Sequence, residues 1–275
     1  MTSAALIFLL ASDAAFKLIW TGDRFACLNE AGENGFNRVA VEEITAGVSG
    51  ECADLRNTVL VRLFADKANF KGARLDGADL QRAVLTRADL FAASAEGAQL
   101  RNADFLGADL RRANLSHSDL RSARLDGAAL SDMRAFGTDA RNASFRAARF
   151  GRADLREGRF LRADFAGAQM RKTELRGAEV AQADFSRADL SGANFLRADM
   201  RRARFPLSDM RGANLKESDL RGTDLSEADL RWADLRGAVF DRHTLLPFAK
   251  AEALARGMVF QEARTALPAE DLQSF

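Results

Sequence analysis

The side chains of this sequence that could carry out chemistry are few and far apart. The only histidines are His117 and His243, and the only cysteines are Cys27 and Cys52. A general base needs a nucleophile or acid within hydrogen-bond reach, and a zinc site needs clustered Cys or His ligands. Neither arrangement exists here, and no Gly-rich phosphate loop opens a helix pattern. The sequence is therefore read as non-enzymatic, with no catalytic, cofactor-binding or metal-binding residues, no cofactor and no small-molecule substrate. What remains is charge. From Arg141 to Arg162 run Arg141, Arg146, Arg149, Arg152, Arg156, Arg159 and Arg162, against only Asp154 and Glu157. With Arg101 and Arg121 they form a candidate patch for an anionic group or partner.

That band is local. Over the whole chain 40 basic residues nearly cancel 39 acidic ones, so neither a nucleic-acid partner nor an acidic imitation of one is expected. No apolar run reaches the length of a membrane-spanning helix, which argues against membrane insertion. The run "AALIFLLA" at 4–11, followed by small residues, has the shape of an export-signal core with a cleavage site, although no Lys or Arg precedes it. If residues 1–14 are such a signal, the protein is periplasmic or secreted and Cys27 and Cys52 would form a disulfide. If they are not, the protein is cytoplasmic and both would be buried thiols.

The elements that must position these residues come from a period of five. Every position divisible by five from Phe70 to Phe240 is Leu, Phe, Met or Val except Ala95, Ala135 and Ala140. Two residues earlier stands Ala in most pentads, with Met133 the one large exception. A step of five turns a helix by about 140°, which would scatter the apolar column around its surface. In a flat strand an odd step alternates faces. A coil that turns a corner every five residues keeps both columns inside, and four such sides close a coil of 20 residues. Glycines two after the column, such as Gly72, Gly107 and Gly192, fit the corner. Residues twenty apart then stack, which predicts an internal ladder of Phe145, Phe165, Phe185 and Phe205 and an external one of Arg101, Arg121 and Arg141. The stretch 131–142, where Met133, Ala135 and Ala140 break the pattern, is expected to repack locally, with Met133 filling the space that Ala135 vacates and Phe136 turned outward.

The pattern A-D/N-L/F-x-x, as in "ADLRRANLSHSDL" and "GANLKESDLRGTDLSEADL", resembles the pentapeptide-repeat family. The resemblance implies an all-β solenoid, a right-handed quadrilateral parallel β-helix with small N-terminal and C-terminal caps carrying short helices. On this reading residues 1–52 are the apolar segment and N-terminal cap, 53–240 the repeat helix, and 241–275 the C-terminal cap. In the last of these, "FAKAEALARG" at 248–257 reads as a short amphipathic helix ended by Gly257. Phe248, Leu254, Met258 and Phe260 would seal the last coil, or mate with a second copy as a homodimer. Within the N-terminal cap, Cys27 falls in a turn-rich segment and "NRVAVEEITAG" reads as a helix.

The resemblance sets the fold more than the function; a stiff rod without catalytic residues is read as a non-catalytic scaffold for protein–protein interaction, its side faces or caps binding an unknown protein partner. Its alternative is modulation of a topoisomerase, DNA gyrase, by imitation of DNA shape, as the quinolone-resistance branch performs with an acidic rod. The near-neutral to basic repeat surface here disfavours that alternative.

Overall fold

A computed structural model of the chain describes residues 50–262 in full and the backbone of two further strands, β1 (Lys17–Trp20) and β2 (Phe25–Leu28). From Asp54 onward, isolated parallel bridges join residues twenty apart in four separate columns, beginning Asp54↔Arg74, Val59↔Asp79, Phe64↔Val84 and Asn69↔Asp89. The chain is thus a solenoid β-helix with four sides of five residues. The last column step lengthens by one residue, Asp224↔Leu245, because the register slips after Phe240. Pairing nevertheless continues beyond that point: β3 (Val239–Phe240) lies parallel to β4 (Val259–Phe260), with α1 (Lys250–Ala255) between them.

Each pentad is closed by its own hydrogen bonds. In the side 50–54 the Ala53 amide donates to the Gly50 carbonyl at 3.0 Å, and the Cys52 amide crosses to the next coil, to the Lys71 carbonyl at 2.8 Å. At nearly every corner from Cys52 to Gly237 the residue two after the column has positive φ, the mark of the third position of a type II turn. Glycine occupies it at Gly107 and Gly192, as the sequence leads one to expect, but so do Arg62, Asn102, Arg202 and even Trp232, at φ near 60°. The corner therefore imposes the left-handed conformation on whatever residue stands there. The penalty of order 1 kcal/mol per non-glycine residue is offset by the backbone bonds it completes.

One amide per pentad, that of the first corner residue, finds no backbone acceptor of this kind. The Asp or Asn two residues earlier supplies it. The Arg121 amide donates to Asp119 Oδ1 at 3.2 Å, Lys71 to Asn69 at 3.1 Å and Leu196 to Asn194 at 3.2 Å. These are Asx turns, and they give the D/N of the repeat its physical reason. Where that position is not Asp or Asn, a carboxylate one coil away can take over: Glu96 and Arg146 amides donate to Asp76 and Asp126 at 3.1 and 3.0 Å.

The core is the two inward columns. The Leu and Phe residues fill it, and the Ala residues let the walls approach; nearly all are buried, with Leu63 and Ala233 partly so. The expected ladder is present: Phe145, Phe165, Phe185 and Phe205 stack with centroids 4.9, 4.8 and 4.8 Å apart. The bridges pass through 131–142 without interruption. Met133 is buried there and Phe136 is turned outward, its ring meeting His117 edge-on at 5.4 Å. Gly158, the glycine that stands in the small column, also has a reason. A Cβ there would lie 2.4 Å from Phe160 Cε2, because the Phe160 ring occupies that space. Beside Ala95 the missing side chain leaves an apolar cavity of about 10 Å³.

At the ends the sequence reading needs amendment. Cys27 lies on β2, paired in an antiparallel hairpin opposite Leu18, rather than in a turn. The apolar run 4–11 and the "NRVAVEEITAG" segment lie outside the described residues. In the C-terminal region Met258 is buried and Phe248 and Phe260 pack against the core, but Leu254 points out, 48 % exposed; Ala253 is the buried residue of α1.

Candidate functional site

The surface of the coil is built from two kinds of position, the flat sides and the corners, and they differ in charge. The side positions are rich in Asp, whose carboxylates are tied to the corner amides. The corners carry most of the arginines. The two are joined within single pentads. In Asp119–Arg121 the guanidinium donates through Nε and an Nη atom to the two carboxylate oxygens, at 2.9 and 2.7 Å, while the backbone amide of the same arginine binds the same aspartate. Asp139–Arg141, Asp154–Arg156, Asp199–Arg201 and Asp209–Arg211 repeat this clamp. Burial alone would raise the Asp199 carboxyl, but the hydrogen bonds from Arg201 outweigh it and hold the group below the ordinary range.

This geometry sorts the arginines named from the sequence. Arg101, Arg121, Arg141 and Arg162 lie on one edge of the coil, on neighbouring levels. Arg101 and Arg121 share Asp119, and Arg141 is clamped by Asp139. Arg152 is on the diagonally opposite edge, bound to Asp132 at 2.8 Å. Arg146 is on a third edge, 3.7 Å from Asp164. Arg149 and Arg159 stand on flat sides, the latter between Asp139 and Glu179. The band that is continuous along the chain is thus distributed around the whole coil.

The continuous feature runs the other way, along the axis. The edge that holds Arg101, Arg121 and Arg141 continues to Arg62 and Arg82 at one end and to Arg201, Arg202, Arg221 and Arg242 at the other. Its single acid, Asp241, is turned to internal use, accepting from the amides of Gly222 and His243 and from Thr244 Oγ1, each at 3.0 Å. Counting charge along the chain hides this edge; the step of twenty that predicts the ladder Arg101, Arg121 and Arg141 reaches the rest of it when carried to both ends.

Toward the C-terminal end the edge is hollowed into a groove of about 790 Å³. Ala181 and Gly222 form low points because they lack long side chains, Leu161 and Gln182 border one end, and Arg201, Arg202 and Arg221 the other, with His243 at the limit. Among the described residues Arg202 forms no ion pair. Its stem lies across Gly222, where a Cβ would meet Arg202 Cγ at 3.3 Å. A smaller hollow of about 510 Å³ lies on the same edge at Arg62, Arg82 and Arg101.

The two histidines are separate. His117 is exposed at a corner beside Phe136, and His243 accepts from Arg242 Nε at 3.2 Å. Among the described residues no group of His, Cys, Asp or Glu is arranged to hold a metal ion, and no helix is long and apolar enough to cross a membrane. Cys52 is wholly buried and is not a free thiol.

Comparison with known proteins agrees with the geometry. The family model for pentapeptide repeats matches in eight copies over 51–87, 68–107, 93–132, 143–180, 168–206 and 207–242. HetL, a pentapeptide repeat protein involved in heterocyst differentiation regulation in the cyanobacterium Nostoc sp. strain PCC 7120, is 31 % identical over 71 % of this chain and 84 % of its own, with a TM-score of 0.27. A trypsin-treated form of QnrB1, a plasmid-mediated fluoroquinolone resistance protein, is 17 % identical over 79 % of this chain and 90 % of its own, with a TM-score of 0.51, a likeness of fold alone. No curated protein sequence matches the chain. With the five-residue period, the four bridge columns and a family model that spans most of the sequence, the chain belongs to the pentapeptide-repeat family.

Proposed function

We propose that the protein is a non-catalytic scaffold for protein–protein interaction, and that the arginine edge is the surface it presents. The observation that carries this reading is the alignment of corner arginines on successive coils while the inward Leu, Phe and Ala columns are sealed inside. Crosslinking from the native cell fraction tests it, comparing the wild type with an Arg101→Glu, Arg121→Glu, Arg141→Glu variant. A protein crosslinked to the first and lost from the second is the expected result; no crosslinked partner with either counts against the scaffold.

The second reading, modulation of DNA gyrase, rests on fold likeness to QnrB1 only. An edge of arginines is the electrostatic opposite of a phosphate backbone. Absence of any effect on gyrase supercoiling at micromolar protein is therefore expected, and protection or inhibition would revive that reading.

Three finer features belong to the same proposal. The coil is right-handed, as the family resemblance implies, which an experimental structure checks. A homodimer through the C-terminal end is favoured by the exposure of Leu254 and Val259; sedimentation at several concentrations tests it, and a strict monomer rules it out. Cys27, the only other cysteine in the chain, is the partner of Cys52, which would place the protein in an oxidising compartment. Alkylation with and without reductant, read by intact mass, checks this: two alkyl groups added without reductant would refute the bond.

A further inference from the structure

From the groove at the C-terminal end of the arginine edge we infer a docking site for an extended acidic segment of a partner protein, with an apolar residue at its leading end. The inference deepens the scaffold reading and rests on it. Four features lead to it.

The first is the gradient along the groove. Leu161 and Ala181 give one end an apolar floor, Arg201, Arg202 and Arg221 make the next two levels cationic, and Asp241 and His243 close the far end. The second is pre-organisation. Arg201 and Arg221 are fixed by bidentate contacts to Asp199 and Asp219, with Nε donating at 2.8 Å in both. Each guanidinium still has N–H groups beyond those two bonds, so a second carboxylate can be met with little loss of side-chain freedom. The third is Arg202. It has no ion pair among the described residues, its stem rests on Gly222, and it is the uncompensated cation of the groove, whose one acid, Asp241, is occupied by the Gly222 and His243 amides and Thr244 Oγ1. The fourth is length. From Leu161 to Asp241 is four coil steps of about 4.8 Å, roughly 19 Å, which is the span of about six residues of extended chain.

The choice of a peptide over nucleic acid follows from what the edge lacks and what flanks it. Single-stranded nucleic acid is held by aromatic stacking as well as by cations, and the corner positions of this edge hold no aromatic residue. The row of aspartates beside it, Asp199 and Asp219 among them, would repel a continuous line of phosphates. A peptide carrying glutamates at alternate residues, about 6.7 Å apart on one face, can reach the Arg201/Arg202 and Arg221 levels, about 4.8 Å apart, through its flexible side chains, and it turns no carboxylate toward the aspartates from its other face.

The probe is a fluorescein-labelled hexapeptide, leucine followed by glutamate alternating with serine, titrated by anisotropy against the full chain. Saturable binding of one peptide per chain is expected. Arg202→Glu should weaken it at least tenfold, and Ala181→Glu, which fills the floor at a position open to solvent on one side, should do the same. Arg171→Glu on the opposite edge should change it less than twofold. A peptide in which lysines replace the acidic residues should bind the Arg202→Glu variant better than it binds the wild type, which separates lost charge from lost fold. No saturable binding, an equal loss in Arg171→Glu, or tighter binding of a 12-nucleotide oligothymidine would overturn the inference. If the peptide fails while crosslinking still yields a partner sensitive to Arg101, Arg121 and Arg141, the scaffold reading stands and only this site falls.

Discussion

Phe165 and Phe185 lie ring on ring, their centroids 4.8 Å apart and their planes 2° from parallel, one coil above the other. The contact is dictated by register. Residues twenty apart occupy equivalent places on successive coils, so the rings share an orientation that the backbone repeats.

Removing one rung should be felt by two neighbours. Phe185 stacks on Phe165 and on Phe205, and each stacked pair contributes about 0.5–1.5 kcal/mol beyond burial. Phe185→Leu should therefore cost about 2 kcal/mol, and Phe185→Ala about 3–5 kcal/mol, since a cavity is added. The midpoint of urea unfolding measures both. A Leu variant as stable as wild type would show that the ring stacking contributes nothing.

Gly158 should be intolerant for a reason unrelated to backbone freedom. Its φ is not positive, yet an added methyl would overlap the Phe160 ring. Gly158→Ala is expected to destabilise by about 1–3 kcal/mol through overpacking. The double variant with Phe160→Leu should recover part of that loss in thermal unfolding, whereas additive losses would refute the steric explanation.

The buried hydroxyls of the small column should divide into two classes. Thr138 Oγ1 donates to the Leu115 carbonyl at 2.7 Å, whereas Ser208 Oγ is buried without a partner. Thr138→Val should cost about 0.5–1.5 kcal/mol. Ser208→Ala should be neutral or stabilising, because the apolar side chain removes an unpaired polar atom. Chemical denaturation of the two variants side by side measures the contrast.

Acid should loosen the C-terminal coils in a defined window. Hydrogen bonds from Arg231 and Arg236 hold the Asp229 and Asp234 carboxyls at about 2, below the usual 3.8. A carboxyl depressed in the folded state stabilises it above its unfolded pKa, and the contribution is lost as pH falls through the folded value. Stability should therefore decline between about pH 4 and pH 2, modestly, because both groups face solvent. In Arg231→Gln the side-chain part of the Asp229 contribution should be lost, while the residue-231 amide and Arg211 still hold the carboxylate, giving a shallower decline in the thermal midpoint; an unchanged slope would count against the clamp.

The inner columns could be read from residue types because the solenoid needs one large and one small apolar residue per side, and few other residues fit. Phe145 to Phe205 fall where a step of twenty puts them. The corner was only half legible. Gly107 and Gly192 mark it, but Arg62 and Trp232 adopt the same backbone conformation without any sign in their side chains. The reason for Asp119 and its equivalents was hidden too, since it depends on which amide the turn leaves over. Least legible was the candidate site. Arg146, Arg149 and Arg152 are close in sequence and lie on different sides of the coil. Arg141 and Arg201, sixty residues apart, share an edge.

The clamp between Asp119 and Arg121, repeated along the chain, also bears on how a partner would arrive. Each pair is a small dipole, and dipoles alternating over a few ångströms cancel well within the Debye length of about 8 Å at physiological salt. Seen from a distance the clamped pairs contribute almost no field, and the unpaired arginines of the one edge are the small remainder. Its association rates should sit near the unsteered range of about 10⁵–10⁶ M⁻¹s⁻¹ and respond weakly to ionic strength. Selectivity would then be exercised after collision, in how long a partner stays.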